Sequence, residues 1–288
     1  MKFSVIVPTC NRISSLERTL ESLFRQTYQD AEIIVVNDGS TDGTDAILGR
    51  LASAKKIIYL RQENRGPAAA RNAGAAIAGG EYLAFTDDDC AVPKDWLERF
   101  SAAFISSGAD CIGGVVNNCI EHNIFSGLSQ EMTNYFVVKM EELNRYSSFL
   151  TSNNIAYRAT AFRNTGGFDE RFRRAGGEER ALNSALIANG CTTALARDIV
   201  IEHYHTLNLF SFSRQHRNYG RGAYILNSIV KNEMKSGSQS IPLSVYGSFI
   251  GSLFKPNPLK GIVKLFLVVL AQSMAAIGYF LQMFSSNR

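Results

Sequence analysis

The sequence predicts an α/β fold built on an open, mostly parallel β-sheet with helices on its faces. Four short runs, "FSVIV", "AEIIVV", "KIIYL" and "EYLAF", are almost continuously apolar. That pattern is typical of parallel strands that are covered on both faces. Segments with helical periodicity separate them, namely "SSLERTLESLF", "TDAILGRL" and "PAAARNAGAAIA". Alternating strands and helices give a parallel sheet with right-handed crossovers.

The middle of the chain predicts further elements of the same layers. "PKDWLERFSAAF" has the pattern of a helix, and "CIGGVV" is a candidate strand. "SNNIAYRATAFRNTGGFDERF" reads as another strand followed by a turn. "EERALNSALIANG" predicts a helix that ends at Gly190, because glycine tolerates the left-handed conformation that commonly terminates a helix.

Composition excludes several classes of protein. The 288 residues, 45% of them hydrophobic, suit one large domain or one domain with an appendage. A net charge of +4, with no nucleic-acid-binding motif, argues against a nucleic-acid partner. The five cysteines are scattered and form no CxxC pair, so neither a disulfide framework nor a zinc site is indicated. A reducing compartment such as the cytoplasm follows.

The C-terminal part of the sequence predicts membrane association. Residues 265–284 carry no formal charge, and twenty such residues are about enough to cross a bilayer as a helix. Three lysines precede them (Lys255, Lys260 and Lys264) and favour a cytoplasmic N-terminal side. A helix lying on the membrane, or a buried core helix, remains an alternative. The apolar run 241–254 fits either an interfacial or a core helix.

Polar loops follow each of the four predicted strands. They read "PTCNR", "NDGSTDGT", "ENRGPAAARNAG" and "TDDDC". Ligands of open α/β sheets bind outside the carboxyl ends of the strands, so we expect these loops to converge on one crevice. In the last loop an extended backbone points Asp87 and Asp89 to one side and Asp88 to the other. Paired carboxylates suit Mg²⁺ or Mn²⁺, and a solvated acidic turn is the alternative.

These loops, in this order and spacing, resemble glycosyltransferase family 2, which has the GT-A fold. The resemblance covers roughly residues 3–220 and implies a nucleotide-diphosphate-sugar donor held across the strand ends. It implies that one group of residues holds the base, the ribose and the diphosphate. That group comprises Pro8, Thr9, Arg12, Asp38, Arg71, Asp87 and Asp88. The alternatives are local ones: Asp38 as a helix cap, Arg71 as a surface residue and Arg12 in a simple ion pair.

The resemblance also implies an inverting mechanism with an acidic base. The family places a Glu-Asp pair at a helix start, and "GGFDERFRRAGGEERAL" supplies Glu178 and Glu179 at that place. The second acid is Glu here instead of the family's usual Asp. We expect Glu179 to be the base that deprotonates the acceptor hydroxyl, and Glu178 to bind that hydroxyl. Acids that complement a helix dipole are the alternative.

The resemblance also implies that a histidine completes the metal site. His203 and His205 lie on one side of an extended segment, and the expected metal ligands are Asp87, Asp89 and His205. In "QHRNYGRG", Arg217 and Arg221 with Gln215 suit a diphosphate or a phospholipid, or form a solvated basic helix. The run lacks the QxxRW motif of processive synthases, so processivity is not supported.

The sequence thus predicts a membrane-associated inverting glycosyltransferase with Mn²⁺ or Mg²⁺ as cofactor. The expected donor is UDP-linked, and the expected acceptor is lipid-linked or a saccharide, as in the synthesis of cell-envelope polysaccharide, glycolipid or glycoconjugate. A catalytic domain over residues 1–225 would face the cytoplasm, with a helical membrane appendage over 226–288. A nucleotidyltransferase acting on sugar phosphates and a non-catalytic nucleotide-sugar-binding membrane protein are the rival functions.

Overall fold

The computed structural model describes residues 1–120, 122–143, 149–232, 241–255 and 257–286. The strands are β1 (Phe3–Thr9), β2 (Ala31–Asp38), β3 (Ile58–Gln62), β4 (Tyr82–Phe85), β5 (Cys90–Ala91), β6 (Cys111–Asn118), β7 (Ile155–Arg158) and β8 (Thr193–His203). The helices are α1 (Ile13–Phe24), α2 (Thr44–Ser53), α3 (Pro67–Ile77), α4 (Trp96–Ser107), α5 (Ile124–Glu142), α6 (Ala159–Asn164), α7 (Glu178–Ala188), α8 (Leu209–Asn232), α9 (Leu243–Leu253) and α10 (Pro258–Ser286).

The strands form one mixed sheet in the order β3-β2-β1-β4-β7-β6-β8-β5. Four of its seven pairings are parallel: β3 with β2, β2 with β1, β1 with β4, and β6 with β8. The strand β7 reverses direction between β4 and β6, and β5 runs antiparallel to β8. The predicted α/β fold with an open, mostly parallel sheet is confirmed, and all four predicted N-terminal strands are present.

Apolar layers cover both faces of this sheet. Along β1, Val5 and Val7 point into one buried cluster with Trp96, while Ile6 points into the cluster on the opposite face. Two-sided burial explains why these strands are apolar at every position rather than at alternate ones. Helix α3 approaches β1 so closely that a Cβ at Gly74 would lie 2.7 Å from Ile6 Cγ2.

A third apolar cluster joins α9 and α10 to the rest of the domain. Phe249 of α9 and both Val268 and Ala271 of α10 pack with Phe136 of α5 and Phe212 of α8. The apolar run 241–254 is therefore a helix with a buried face. The predicted boundary at residue 225 falls inside α8, and residues 233–240 lie outside the described part. The division into a catalytic domain and an appendage stays a prediction.

Helix α10 contains the charge-free segment 265–284. Within the described residues it is the helix that is long and apolar enough to cross a membrane, by length and composition only. In the protein, 22% of its apolar window is buried. The expectation of an apolar C-terminal helical segment is confirmed.

Candidate active site

The polar loops converge on one cleft of about 730 Å³. It opens at the carboxyl ends of β1, β2 and β4, and α5, α7 and α8 contribute walls. The predicted donor, metal and catalytic residues all line it, namely Pro8, Thr9, Arg12, Asp38, Arg71, Asp87, Asp88, Asp89, Glu178, Glu179 and His205. Of the predicted basic group, Gln215 lines the cleft, whereas Arg217 and Arg221 do not. The expectation that the loops form a single crevice is therefore met.

The first loop places a cation beside Asp87, Asp88 and Asp89, which together form the acidic run. Nη1 of Arg12 lies 3.2 Å from Oδ1 of Asp88 and 2.7 Å from Oδ2 of Asp89, and it donates to both. Oγ1 of Thr9, at the end of β1, donates to Oδ2 of Asp88 at 2.7 Å. Burial raises the pKa of Asp88 to about 7, although Arg12 opposes this shift. Arg12 contacts the acids directly, and its predicted contact with the nucleotide stays a prediction.

The carboxylate of Asp38 ties the end of β2 to the third loop. Its Oδ1 accepts from Nε2 of Gln62 at 2.7 Å and from the backbone N–H of Arg65 at 2.8 Å. Its Oδ2 accepts from the backbone N–H of Gly66 at 2.9 Å. Asp38 thereby fixes the loop that leads into α3. Oδ1 already accepts two bonds, whereas Oδ2 accepts one and can accept another, so the predicted contact with a nucleoside stays compatible with this arrangement.

Arg71 of α3 is a buried bridge between the acidic run and α7. Its Nη2 donates to Oδ1 of Asp87 at 2.7 Å, and its Nη1 donates to Oε1 of Glu178 at 3.0 Å. The side chain is 3% exposed. Burial favours the neutral form, but Asp87 and Glu178 outweigh it and raise the pKa of the guanidinium. The alternative considered from the sequence, that Arg71 is a surface residue, is wrong. The geometry makes Arg71 a link between two sets of acids.

The two acids at the start of α7 have different surroundings. Glu178 is 1% exposed; its Oε1 accepts from Arg71, and its Oε2 accepts from the backbone N–H of Gly176 at 2.7 Å. Glu179 lines the cleft, and burial together with the neighbouring Glu178 raises its pKa to about 8. Two carboxylates in different surroundings commonly take different roles. The engaged oxygens of Glu178 argue against its predicted role as acceptor ligand.

The glycine pair before α7 sets this arrangement. Gly176 has φ 141° and Gly177 has φ 108°, conformations that side-chain-bearing residues rarely adopt. A Cβ at Gly222 of α8 would lie 1.5 Å from the carbonyl oxygen of Gly176, so α8 touches this turn backbone to backbone. Helix α8 therefore supports the turn that carries both acids.

Asp89, Cys90 and His203 form a cluster that fits a metal ion. Their potential ligand atoms lie within 4.8 Å of one another, and Oδ1 of Asp89 is 3.3 Å from Nε2 of His203. Two ligands of an octahedral ion at ~2.1 Å are about 3 Å apart, so this spacing suits Mn²⁺ or Mg²⁺. Burial raises the pKa of the Cys90 thiol well above its ordinary value. A protonated, soft sulfur is a poor ligand for these hard ions, which leaves the carboxylate and the imidazole.

His203 lies nearer to Asp89 than the predicted ligand His205 does. The antiparallel register of β5 and β8 pairs Cys90 with His203, which places the imidazole beside the acidic run. Nδ1 of His203 lies 3.1 Å from Oε1 of Gln130 on α5. When Nδ1 carries the proton, the lone pair of Nε2 is free to bind an ion held by Asp89, as in metal-binding histidines. The His205 ring centroid is 5.2 Å from that of His203.

Other cleft residues were not identified from the sequence. Gln130 orients His203, but it stands in a long helix without a local motif. Part of the cleft wall is apolar. It is formed by Met132, Phe136, Val137, Ile241, Tyr246 and Ala275. These residues come from α5, from α9 and the segment just before it, and from α10, which are distant in the chain, so no spacing rule identifies them.

The mixed α/β sheet and the acidic cleft at its strand ends define a GT-A-type protein. The profile of Glycosyl transferase family 2 matches residues 4–166, and the chain belongs to this family. Among solved structures, a mannosyltransferase from Pyrobaculum calidifontis superimposes with a TM-score of 0.62 at 18% identity, over 98% of this chain and 80% of that one. TarS from S. aureus gives 0.57 at 21% identity, over 97% and 89%. These structures have the same fold.

Named relatives match part of the chain. Glycosyltransferase GlyA of Streptococcus pneumoniae is 39% identical over 114 residues, which are 39% of this chain and 16% of that protein. Validoxylamine A glucosyltransferase of Streptomyces hygroscopicus is 29% identical over 227 residues, covering 68% of this chain and 53% of that protein. The chain thus spans between one sixth and about half of these relatives.

Proposed function

We propose that this protein is an inverting glycosyltransferase that moves a sugar from a nucleotide-diphosphate donor to an acceptor hydroxyl. One observation carries the proposal: in the same cleft, Arg71 joins the acidic run at Asp87 to Glu178, the residue next to the cleft-lining acid Glu179. Metal-binding acids and a candidate base are thereby held in a fixed relation. Family membership supports glycosyl transfer as the reaction.

The donor site lies at the ends of β1, β2 and β4. Asp87, Asp89 and a histidine, either His203 or His205, would hold Mn²⁺ or Mg²⁺. That ion supplies Lewis-acid stabilisation of the departing diphosphate. Arg12 is exposed enough to leave Asp88 and Asp89 and to pair with phosphate oxygens instead, because half of its side chain faces the cleft opening. The P. calidifontis protein is described in complex with GDP-Man and Mn²⁺, and TarS with UDP-GlcNAc, which supports this ligand class.

The acceptor reacts at the other side of the donor sugar. Glu179 takes the proton of the acceptor hydroxyl, and its raised pKa of about 8 makes it a stronger base than an ordinary carboxylate. Attack opposite the leaving diphosphate inverts the anomeric centre. Glu178 does not touch the acceptor in this mechanism; with Arg71 it fixes the start of α7.

The apolar part of the cleft wall suits a lipid-linked acceptor, with a free saccharide as the alternative. Ile241 and Tyr246 of the α9 region and Ala275 of α10 belong to this part, so the helices predicted to meet the membrane also form part of the cleft. We assign the catalytic domain to the cytoplasmic side of that membrane. UDP stays the expected nucleotide of the donor, and GDP is the alternative.

Donor hydrolysis tests the proposal directly. The full chain is incubated with UDP- and GDP-sugars, with Mn²⁺ or EDTA, and release of nucleoside diphosphate is measured. We expect metal-dependent release from one donor, lost in Asp89→Ala and kept in Glu141→Gln, a surface control that pairs with Arg197. Release of pyrophosphate from nucleotide triphosphate and a sugar phosphate would instead identify a nucleotidyltransferase. Donor binding without turnover under every condition would identify a binding protein.

A further inference from the structure

The outward face of α10 is a continuous apolar surface, and its role extends the membrane association proposed above. Leu259, Phe266 and Phe280 stand seven residues or multiples of seven apart, and they are 76%, 72% and 54% exposed. Seven residues make almost two full turns, so these side chains share one face. Ile262, Val269 and Ile277 add to that face. At 29 residues the helix is about 43 Å long, and its outward face is apolar over most of that length.

The inward face of α10 contacts the catalytic domain over much of the helix. Near its start, Lys264 pairs with Glu131 of α5. In its middle, Val268 and Ala271 pack into the cluster shared by α5, α8 and α9. Near its end, a Cβ at Gly278 would lie 1.9 Å from the carbonyl oxygen of Arg217 on α8. These contacts extend from Lys264 to Gly278.

Backbone contact at two glycines holds α10 against α8. A Cβ at Gly220 would lie 1.8 Å from the carbonyl oxygen of Ala275, and the rings of Tyr224 and Tyr279 pack edge to face with centroids 5.3 Å apart. Helix α8 in turn touches Gly176, in the turn before Glu178. Moving α10 away from the domain would therefore break contacts that extend to the active-site turn.

These contacts are incompatible with α10 crossing a bilayer. The charge-free stretch 265–284 would have to fill the hydrocarbon core, and Ala275 and Gly278 lie inside that stretch. Helix α8 would then enter the core with Arg217 and Arg221, which have no carboxylate within 4.0 Å in the described residues. Unpaired arginines in hydrocarbon are costly. The turn at Gly176 would be drawn towards the same depth.

Charge favours an anionic membrane surface as the partner. After His203 the sequence has nine Lys or Arg residues and a single acid, Glu233. Arg221 lies close to Arg174 and Arg217, and burial together with these two cations lowers its pKa. Such an unbalanced positive region attracts anionic headgroups, while an apolar helix face enters the boundary of the acyl chains.

We propose that α10 lies in the plane of an anionic membrane, with its outward face among the lipids and its inward face on the catalytic domain, and that it does not cross the bilayer. Gln272 and Ala275 of the same helix line the cleft. The apolar part of the cleft wall therefore lies at the level of the membrane surface, where a lipid-linked acceptor would enter from the side.

Vesicle binding by the full chain tests the surface. Vesicles of phosphatidylcholine with about one third phosphatidylglycerol are sedimented with the wild type and with the double variant Phe266→Glu, Phe280→Glu. We expect the wild type to sediment and the double variant to stay in solution. Ile105→Glu is the matched control, because Ile105 is 71% exposed on α4, and it should bind as the wild type does. Leu259→Glu provides a milder outward-face variant in case the double variant is misfolded by circular dichroism.

The accessibility of the two ends of α10 shows whether the helix lies in the plane of the membrane or crosses the bilayer. Two variants of the full chain, Asn257→Cys and Ser286→Cys, are prepared separately. Each is bound to sealed vesicles and treated with a membrane-impermeant maleimide. Mass spectrometry then identifies the labelled peptides. Both sites label from outside if α10 lies in the plane; protection of one site overturns the proposal. A wild-type dimer that the double variant converts to a monomer, without vesicle binding, also overturns it. Donor hydrolysis in the double variant reports the proposed function separately.

Discussion

Nη2 of Arg71 donates a hydrogen bond to Oδ1 of Asp87 over 2.7 Å, and this ion pair joins α3 to the acidic run at the end of β4. The other arm of the same guanidinium holds Glu178. Arg71 is therefore shared by two acids that are 91 positions apart in the sequence numbering. Glu178 is as deeply buried as Arg71, whereas the side chain of Asp87 is 30% exposed and lines the cleft. The pair makes the geometry of the proposed metal-binding acids depend on the start of α7.

Replacing Arg71 should destabilise the fold. Arg71→Ala leaves Glu178 buried without its cation, and breaking a buried pair costs about 3–5 kcal/mol. Denaturant unfolding followed by fluorescence measures this change. The control is Arg197→Ala, which removes an exposed pair with Glu141 and should cost about 0–1 kcal/mol. Equal losses in the two variants would contradict the bridging role of Arg71.

Replacing Glu179 should separate catalysis from donor binding. Glu179→Gln keeps the size of the side chain but cannot accept a proton, and loss of a general base costs about 10²–10⁴-fold in rate. Affinity for the donor, measured by calorimetry, should remain. Glu178→Gln is the comparison: it weakens the contact with Arg71, so it should lower thermal stability as well as rate. Full activity in Glu179→Gln would transfer the role of base to another group.

The same acid predicts how activity and stability depend on pH. The pKa of Glu179 is raised to about 8, so kcat/KM should increase as pH rises towards that value. The folded state keeps this proton up to about pH 8, whereas an unfolded glutamate releases it near ~4.3. The contribution of Glu179 to stability is thus present at low pH and is lost as pH rises through that window. Glu179→Gln should therefore gain thermal stability relative to the wild type from pH 5 to pH 9. A constant difference across this range would refute the assigned pKa.

Much of this arrangement follows from the sequence. Continuous apolar strands predict a sheet covered on both faces, and the polar loops after them predict a cleft at the carboxyl ends. Asp38 is found there because it ends β2, and Asp87 because it stands two residues after the end of β4. Which side chains lie beside Asp38 and Asp87 depends on the order of the strands in the sheet. The reversed strand β7 and the register that pairs Cys90 with His203 are set by packing across the whole sheet, so local periodicity does not indicate them.

Long-range contacts also account for the assignments that the sequence left open. Glu178 and Glu179 are adjacent and chemically alike, so no sequence pattern separates them. Their roles differ because Arg71, 107 positions earlier, and the backbone of Gly176 engage only Glu178. In the same way, nothing in "EHYHT" favours one histidine. Gln130, 73 positions earlier, lies beside Nδ1 of His203 and so distinguishes it from His205.

Metal binding should depend on His203 more than on His205. Nε2 of His203 lies 3.3 Å from Oδ1 of Asp89, and Gln130 lies 3.1 Å from the other ring nitrogen. His203→Ala removes this ligand, and loss of one ligand or its support typically weakens metal affinity by about 10–100-fold or more. Titration of the full chain with Mn²⁺, followed by electron paramagnetic resonance of the free ion, measures the affinity without relying on activity. Gln130→Leu should reproduce part of the loss, because the imidazole is then no longer held in one orientation.

His216→Ala serves as the control, since His216 lines the cleft on α8 but lies outside the cluster of Asp89, Cys90 and His203. If His205→Ala abolishes Mn²⁺ binding while His203→Ala leaves it unchanged, the assignment is reversed and His205 is the ligand.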